Sequence, residues 1–397
     1  DDEDQTRWFY FKSNGKMIKS DEGDRTKDKT INGKKYAFDQ YGAMVAEWSL
    51  DSDDEKEASD NVGHYAASTN QSVASVSEAW QGKGNYAQYS KAWKYFNSVE
   101  DGARVSKGWF KVVPAEYLNE GKYDDDEDFW YYADGSGNLY AGEFKTIKGK
   151  KYAFRNDGRM LTGLKFILED DDNDNLTVYA DDDGTYNFDN EDDFLDNAVD
   201  FYEPGGYKCY YFGGGDDGAM RTNKTTVEID GENHNFYFEK SGSKKGAGVT
   251  GEKDDKLYQS GMLLKADSDD KYVVVDKTTK YTTNAAGEKV LDYVTYNKLD
   301  DAKEFMAQDD VLESNTPVDA DGKIDLGNNN KKKAEDISEA YTIRYKAYAS
   351  SDMTTHEYFL VNTSGKVIDN RGKNKDGSDY YYVTDNSGKI TNIYVED

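Results

Sequence analysis

A nine-residue phrase recurs along this chain and constrains its fold more than any other feature. It runs from Tyr36 to Met44 and returns from Tyr152 to Met160. In both places a Tyr-Ala-Phe segment leads to a glycine, and a methionine follows that glycine by two positions. Each copy is too short to bury its own apolar face, so the copies have to pack against one another. The repeat therefore predicts stacked small units rather than one large core.

Aligning the copies on the glycine extends the repeat over most of the chain. An aromatic residue stands six or seven positions before each glycine, and an apolar residue stands two positions after most of them. Arg104 and Lys244 depart from the second rule. The aligned pairs are Phe9/Gly15, Tyr36/Gly42, Tyr95/Gly102, Tyr131/Gly137, Tyr152/Gly158, Tyr211/Gly218, Phe236/Gly242, Phe359/Gly365 and Tyr382/Gly388.

The phrase has the pattern of a β-hairpin. Tyr36 and Phe38 alternate with other residue types, which is the period-two pattern of a strand with one buried face. The segment 39–42 ends in Gly42, and a glycine suits the positive φ that follows a type I turn in a hairpin. The return strand then carries the methionine back onto the aromatic face. Each copy is therefore predicted to be an antiparallel hairpin of roughly 20 residues.

Two stretches interrupt the repeat, and both carry apolar residues at helical spacing. The first begins with an acidic run at 51–55, and the second has Asn297 as a candidate N-cap before Leu299, Ala302 and Phe305. The predicted fold is all-β, an elongated solenoid of stacked antiparallel β-hairpins with short, partly helical inserts. The predicted parts are N-terminal hairpins at 1–50, an acidic insert at 51–92, a central array at 93–295, a second insert at 296–345 and C-terminal hairpins at 346–397.

Charge excludes several classes of partner. Lys and Arg number 50 against 79 Asp and Glu in 397 residues, a net charge of −29. Such a surface repels phosphate backbones and anionic membranes, so nucleic acid is excluded as a partner. No apolar run approaches the roughly 18 residues of a membrane span, so membrane insertion is not expected. The acidic start at Asp1 suggests a mature end left after removal of a signal peptide, or an acidic linker.

The phrases at 31–38, 108–110 and 130–132 resemble the cell-wall-binding repeat family. That family includes the choline-binding and glucan-binding repeats of bacterial surface proteins, and related repeats form the receptor-binding tails of large clostridial toxins. The resemblance implies a hairpin solenoid at the surface of a Gram-positive-type bacterium. It also implies binding of a cell-wall polymer or surface glycan, choline-bearing or glucan, without catalysis by the repeats.

The resemblance also implies ligand-binding residues. In choline-binding members, aromatic rings from successive hairpins surround a quaternary ammonium group, which the ring faces attract. Flat rings of this kind can also stack on a sugar. The sequence departs from the family at the best match, because Trp109 and Trp130 lie some twenty positions apart. The positions that match best are Trp109, Trp130, Tyr152 and Met160, with Trp8 and Tyr36, and Trp48 and Trp93, as two weaker pairs.

Other chemistry finds little support in the sequence. The histidines His64, His234 and His356 lie far apart, with no metal-binding spacing. The acidic runs at 170–175 and 181–184 do not follow the spacing of an EF-hand loop. We therefore expect no catalytic residues, no cofactor and no metal site. Two other roles remain open: a structural or adhesive spacer whose inserts contact a protein partner, and the receptor-binding region of a larger secreted protein.

Overall fold

The protein divides into two compact units in the computed structural model. The N-terminal unit comprises Asp1–Tyr186 with Tyr211–Met220, and the C-terminal unit comprises Asn187–Tyr210 with Arg221–Asp397. Nearly all of the insert predicted at 51–92 lies outside the residues that the structure describes. The described residues are 7–50 without 23 and 25, 86–170 without 117, 175–178, and 188–397 without 346 and 347.

The N-terminal unit consists mainly of small two-stranded antiparallel sheets. The strands are β1 (Lys27–Ile31), β2 (Lys34–Phe38), β3 (Glu47–Leu50), β4 (Trp93–Phe96), β5 (Gly108–Val112), β6 (Phe129–Ala133), β7 (Glu143–Ile147), β8 (Lys150–Phe154), β9 (Leu164–Asp170) and β10 (Asn175–Val178). Strands adjacent in the sequence pair as β1 with β2, β3 with β4, β5 with β6, β7 with β8 and β9 with β10. The helices are α1 (Tyr86–Lys91) and α2 (Glu120–Asp124).

The predicted turn chemistry is confirmed in detail. The Asp39 carboxylate accepts hydrogen bonds from the backbone N–H groups of Tyr41, at 2.8 Å, and Ala43, at 2.9 Å. Gly42 has a φ of 84° and donates its N–H to the Asp39 carbonyl. An L-residue would be strained at that φ, which explains why the repeat places glycine there. Asp134 and Asp385 hold their own turns through the same pair of hydrogen bonds.

One contact recurs between successive hairpins of the N-terminal unit. The side chain two positions after a turn glycine lies against the turn glycine of the next copy. A Cβ atom on that next glycine would stand only 2.2–3.1 Å from this side chain. Arg104 makes the contact with its stem, so a residue that breaks the apolar rule keeps the packing role. The pairs are Met17 and Gly42, Met44 and Gly102, Arg104 and Gly137, Leu139 and Gly158, and Met160 and Gly218.

The C-terminal unit has larger sheets than the repeat predicts. Its strands are β11 (Lys208–Tyr211), β12 (Asn223–Ile229), β13 (Glu232–Phe238), β14 (Gly251–Lys253), β15 (Lys256–Gln259), β16 (Met262–Leu263), β17 (Tyr272–Thr283), β18 (Lys289–Leu299), β19 (Val311–Glu313), β20 (Lys323–Asp325), β21 (Lys331–Lys333), β22 (Ile337–Ile343), β23 (Thr354–Asn362), β24 (Lys373–Lys375), β25 (Tyr380–Thr384) and β26 (Ile390–Glu396). One sheet has the strand order β12-β13-β16-β15-β14, a second has the order β18-β17-β23, and a third has the order β19-β22-β26-β25-β24. Strand β20 pairs with β21. The helices are α3 (Glu191–Gly205), α4 (Ala302–Met306) and a 3₁₀ turn at Ala334–Asp336.

Helix α3 lies inside the stretch predicted as a hairpin array, so that prediction is wrong there. The Asn190 side chain caps the helix by accepting from Asp193 N–H at 2.8 Å, and the Asp193 carboxylate accepts from Asp189 N–H in return. The residue types of this reciprocal cap mark the start of a helix and can be recognised in the sequence. Apolar residues at helical spacing then form the buried face: Phe194, Leu195, Ala198 and Phe201.

The helix predicted in the second insert is present but starts later. Asn297 and Leu299 belong to β18, so Asn297 is not its N-cap. Asp301 caps α4 instead, accepting from the N–H groups of Lys303 and Glu304, both at 2.8 Å. The insert predicted at 296–345 is not separate from the C-terminal hairpins, because its strand β22 pairs with β26. Among the helices of the described ranges, none has the length and apolar character needed to cross a membrane.

Candidate functional site

An open aromatic cavity of about 210 Å³ lies in the first hairpins of the N-terminal unit. Its walls are aromatic and aliphatic, with two carboxylates at one side. The volume is below the ~300 Å³ at which pockets for drug-sized ligands begin, so only a small ligand group fits it. We call it the first aromatic site, and it is lined by Trp8, Phe9, Tyr10, Ile31, Tyr36, Phe38, Met44, Glu100 and Asp101.

Three successive copies of the repeat build the first aromatic site. Trp8 stands seven positions before the glycine of the first copy, and its carbonyl accepts the N–H of Met44 at 2.7 Å. Tyr36 and Met44 come from the second copy, where Tyr36 lies in β2. Met44 packs against Gly102 of the third copy, and this contact brings Asp101, one position earlier, to the cavity. The hairpin stacking therefore assembles the site.

The first aromatic site is accessible and carries negative charge. The Trp8 side chain is 54% exposed. Asp101 accepts a hydrogen bond from Asn97 at 2.8 Å and one from Lys34 at 3.3 Å. The Asn97 bond is the main cause that lowers the pKa of Asp101, so this carboxylate is ionised at neutral pH. Lys34 forms an ion pair with Asp101, so the exposed Glu100 supplies the further negative charge that favours a positively charged guest.

A second site repeats this arrangement and contains the best sequence candidates. Trp130 stands seven positions before its glycine, and its carbonyl accepts the N–H of Met160 at 2.8 Å. Tyr152 and Met160 occupy the places of Tyr36 and Met44, and Met160 packs against Gly218. Asp216 stands two positions before that glycine, as Glu100 does in the first site. The predicted set Trp109, Trp130, Tyr152 and Met160 thus comes together in one hydrophobic cluster.

The protein fills this second aromatic site with its own groups. The Trp109 ring lies 4.8 Å from the Tyr152 ring and 6.3 Å from the Trp130 ring, measured between centroids. The Lys111 ammonium lies 6.0 Å from the centre of the Trp130 ring, over its face, and forms an ion pair with Asp216 at 3.1 Å. In the second site, therefore, a cation of the protein itself stands between a tryptophan and a carboxylate.

The third candidate pair belongs to the core. The Trp93 side chain is buried, and the Trp48 indole N–H donates to the Val113 carbonyl at 2.8 Å. Rings of Tyr95, Phe110 and Tyr131 surround Trp48, with centroids 5.0–5.7 Å away. Trp93 is therefore buried and Trp48 is partly buried among other rings, which disfavours the ligand-binding role predicted for them.

Sequence reasoning named Trp8 and Tyr36 but missed their neighbours. Glu100 and Asp101 lie in the turn of the third copy, about 60 positions beyond Tyr36, and contacts between the copies bring them close, among them Met44 against Gly102 and the ion pair of Lys34 with Asp101. A signal was present, because acidic residues precede the glycine in both the third and the sixth copies. No comparable feature of the sequence indicated that Lys111 would lie at the second aromatic site.

Both described partners of His356 contact the same ring nitrogen. His356 Nδ1 lies 2.9 Å from an Asp276 oxygen, and this hydrogen bond is the main cause that raises the pKa of His356. The Thr278 hydroxyl contacts the same nitrogen at 3.2 Å. A nucleophile–base–acid relay needs the two partners on opposite ring nitrogens. In the described ranges, no group of three or more His, Cys, Asp or Glu residues is placed to hold a metal ion.

No family model and no curated protein matches the chain. The similar solved structures include choline binding protein F from Streptococcus pneumoniae, with a TM-score of 0.34 and 16% identity over 66% of this chain. They also include the modular autolysin LytC of that organism, at 0.27 and 17% over 67% of this chain, and the choline binding domain of its Spr1274, at 0.17 and 20% over 34%.

Two of these solved structures, choline binding protein F and the Spr1274 domain, are choline-binding by name, and that is the class that the sequence phrase resembles. This chain spans 56% of choline binding protein F, 38% of the autolysin and 92% of the Spr1274 domain.

Proposed function

We propose that this chain is a non-catalytic protein of the bacterial cell surface that binds choline-bearing wall polymer. The first aromatic site would hold the trimethylammonium headgroup between Trp8, Tyr36 and Met44. Ring faces attract such a cation, and Asp101 adds a nearby negative charge. The small cavity volume matches a headgroup rather than a whole sugar unit.

The observation that carries this proposal is the equivalence of the two aromatic sites. Both take a tryptophan, a tyrosine with a methionine, and an acidic residue from three successive copies in the same register. In the second site the ammonium of Lys111 stands over the Trp130 ring and pairs with Asp216. The first site offers the corresponding tryptophan, tyrosine and methionine around an open cavity, with Glu100 at the position of Asp216, and an external ammonium would take the place that Lys111 fills in the second site.

The wider architecture follows from the same contact. We propose that stacking of each return-strand residue on the next turn glycine makes the repeats of the N-terminal unit a short solenoid. A wall polymer carries many choline headgroups, so several sites, on one or on several protein molecules, would bind the same polymer at once. Each site would bind weakly, and their combination would hold the polymer by avidity. A protein partner or a spacer role is the alternative if no polymer is bound.

A glucan is the second candidate ligand, and exposed rings favour it. Phe9, Phe11 and Tyr41 are 46%, 58% and 70% exposed, and all belong to the first two copies, as Trp8 does. Large exposed rings in one region are the usual platform for stacking of sugars. A glucan fragment therefore belongs in every titration beside choline.

Replacing Trp8 with alanine is expected to weaken choline binding by about tenfold or more, because it removes the exposed wall of the cavity. Isothermal titration with choline and a glucan fragment measures this, and pull-down with a purified wall fraction tests the polymer. Phe11→Ala is the matched control, because Phe11 is equally exposed but does not line the cavity. Equal choline affinity in both variants would contradict the proposed site.

A further inference from the structure

Lys111 supplies a positive charge inside the second aromatic site. It lies in β5 directly opposite Trp130 of β6, and cross-strand partners of this kind have their side chains on the same face of the sheet. Its ammonium donates hydrogen bonds to both oxygens of the Asp216 carboxylate, each at 3.1 Å, and lies 6.0 Å from the centre of the Trp130 ring. The lysine therefore makes both of the contacts that a cationic ligand of this site would make.

The contacts that hold Lys111 in place lie at the surface. The side chains of Lys111 and Asp216 are 36% and 65% exposed. An ion pair this exposed contributes little to stability and is screened by salt, because water solvates both charges. A long lysine side chain also loses rotamer freedom when it is held in one position. The ammonium can therefore leave the site without disturbing the pairing of any strand.

The walls of the second site do not depend on Lys111. Tyr152 and Met160 are buried, and Met160 is fixed by its contact with Gly218. The rings of Trp109 and Trp130 stand at 88° to each other, with their centroids 6.3 Å apart. These groups keep their places through the stacking of the copies, so the aromatic walls remain when the ammonium leaves. Aromatic walls beside a carboxylate attract a cation.

The first aromatic site is not filled in this way. Lys34 pairs with Asp101 at 3.3 Å, and the ammonium of Lys29 lies 5.9 Å from the centre of the Tyr10 ring, but neither lysine lines the cavity. Trp8 lies outside the strands β1–β26 of the described residues, so strand pairing places no lysine opposite it as Lys111 is placed opposite its tryptophan. Lys111 is therefore one of the side chains that distinguish the filled site from the open one.

We propose that Lys111 is an internal competitor that keeps the second aromatic site closed, and that this site binds a quaternary ammonium group when Lys111 is displaced. The inference rests on the proposed function, because it assigns the same kind of ligand to a second place and adds a group that regulates it. The lysine and the ligand would occupy the same space and exclude each other. The affinity of the site is then reduced according to the fraction of molecules in which Lys111 is in place.

The Trp8→Ala background isolates the second site, because it removes the exposed wall of the first one. In this background we expect Lys111→Ala to tighten choline binding by about tenfold or more, since the competing ammonium and its stem are gone. Isothermal titration measures the change. The uncharged analogue 3,3-dimethylbutan-1-ol should gain no comparable affinity, because the rings and the carboxylate attract only the cation.

Lys253→Ala is the matched control in the same background. The Lys253 ammonium also lies over a ring and pairs with a carboxylate, at 4.7 Å from the centre of the Tyr237 ring and 3.2 Å from Glu239. It belongs to the C-terminal unit, so its replacement makes the same charge change away from the second site and should leave choline affinity unchanged.

Three results would overturn the proposal: no gain in Lys111→Ala, an equal gain in Lys253→Ala, or an equal gain for the uncharged analogue. The first aromatic site is judged separately, by the loss of choline affinity between the unmodified chain and Trp8→Ala alone. Failure of the first site and failure of the competitor are therefore distinguishable.

Discussion

Replacing Asp157 with alanine is expected to destabilise the N-terminal unit by about 4 kcal/mol. Asp157 and Arg159 are both buried, and the carboxylate accepts from Arg159 Nε at 2.6 Å. The same carboxylate accepts from the Asn119 side chain at 2.7 Å, which ties a hairpin turn to the N-cap of α2. The substitution would leave a buried guanidinium without this carboxylate, and that is the costly outcome when one member of a buried ion pair is removed.

Urea unfolding followed by tryptophan fluorescence measures this loss, since all six tryptophans of the sequence fall within the N-terminal unit. Asp124→Ala, at an exposed residue of α2, is the control and should change the free energy of unfolding by about 0.5 kcal/mol or less. A loss at Asp157 no larger than at Asp124 would refute the structural role of this pair.

The same pair predicts the sign of the pH dependence. Burial opposes ionisation of Asp157, but Arg159 and Asn119 outweigh it, so the pKa of Asp157 lies below its ordinary value of 3.8. The stabilisation is therefore present above the ordinary value and is lost as pH falls through the lowered one. The Asp157→Ala variant should show a shallower loss of stability in that acid range than the unmodified chain.

Replacing Gly248 with alanine is expected to destabilise the C-terminal unit by about 3 kcal/mol. A Cβ at this position would stand 2.3 Å from the Ser260 carbonyl oxygen and 2.7 Å from the Gly261 nitrogen. These are backbone atoms, and they cannot move aside as the end of a side chain can. Gly248 also donates its N–H to the Cys209 carbonyl at 2.7 Å, so a shift of this backbone would disturb β11 as well.

The buried Cys209 thiol reports on this change. It is the only cysteine of the chain, and it lies in the C-terminal unit. Burial raises the pKa of Cys209, so the thiol reacts slowly while the unit is folded. In Gly248→Ala it should become reactive at a lower urea concentration. Gly377→Ala is the control, because no atom lies within 4 Å of its Cβ position, and equal labelling curves for the two variants would contradict the close approach.

The hairpins were predictable because their chemistry is local. Tyr36 and Phe38 alternate with other residues, and Asp39 and Gly42 supply the hydrogen bonds and the positive φ of the turn within a few positions. The helix α3 could also have been found, since Asn190 and Asp193 form a reciprocal cap before a helical apolar pattern. It was missed because the repeat was extended across it.

The open site could be predicted only in part, because its walls come from three copies. Trp8 and Tyr36 follow from their places before the glycines, but the approach of Asp101 depends on the packing of Met44 against Gly102. The filling of the second site by Trp109 and Lys111 depends on how rings pack across strands, which spacing alone does not determine.

The most direct test of the aromatic site compares choline with 3,3-dimethylbutan-1-ol, in which carbon replaces the charged nitrogen and the shape is kept. Isothermal titration should show choline binding about tenfold more tightly, because ring faces and the Asp101 carboxylate attract only the charged form. The difference should disappear in Trp8→Ala. Equal affinities for the two compounds, or a preference for choline that survives the loss of Trp8, would contradict the account.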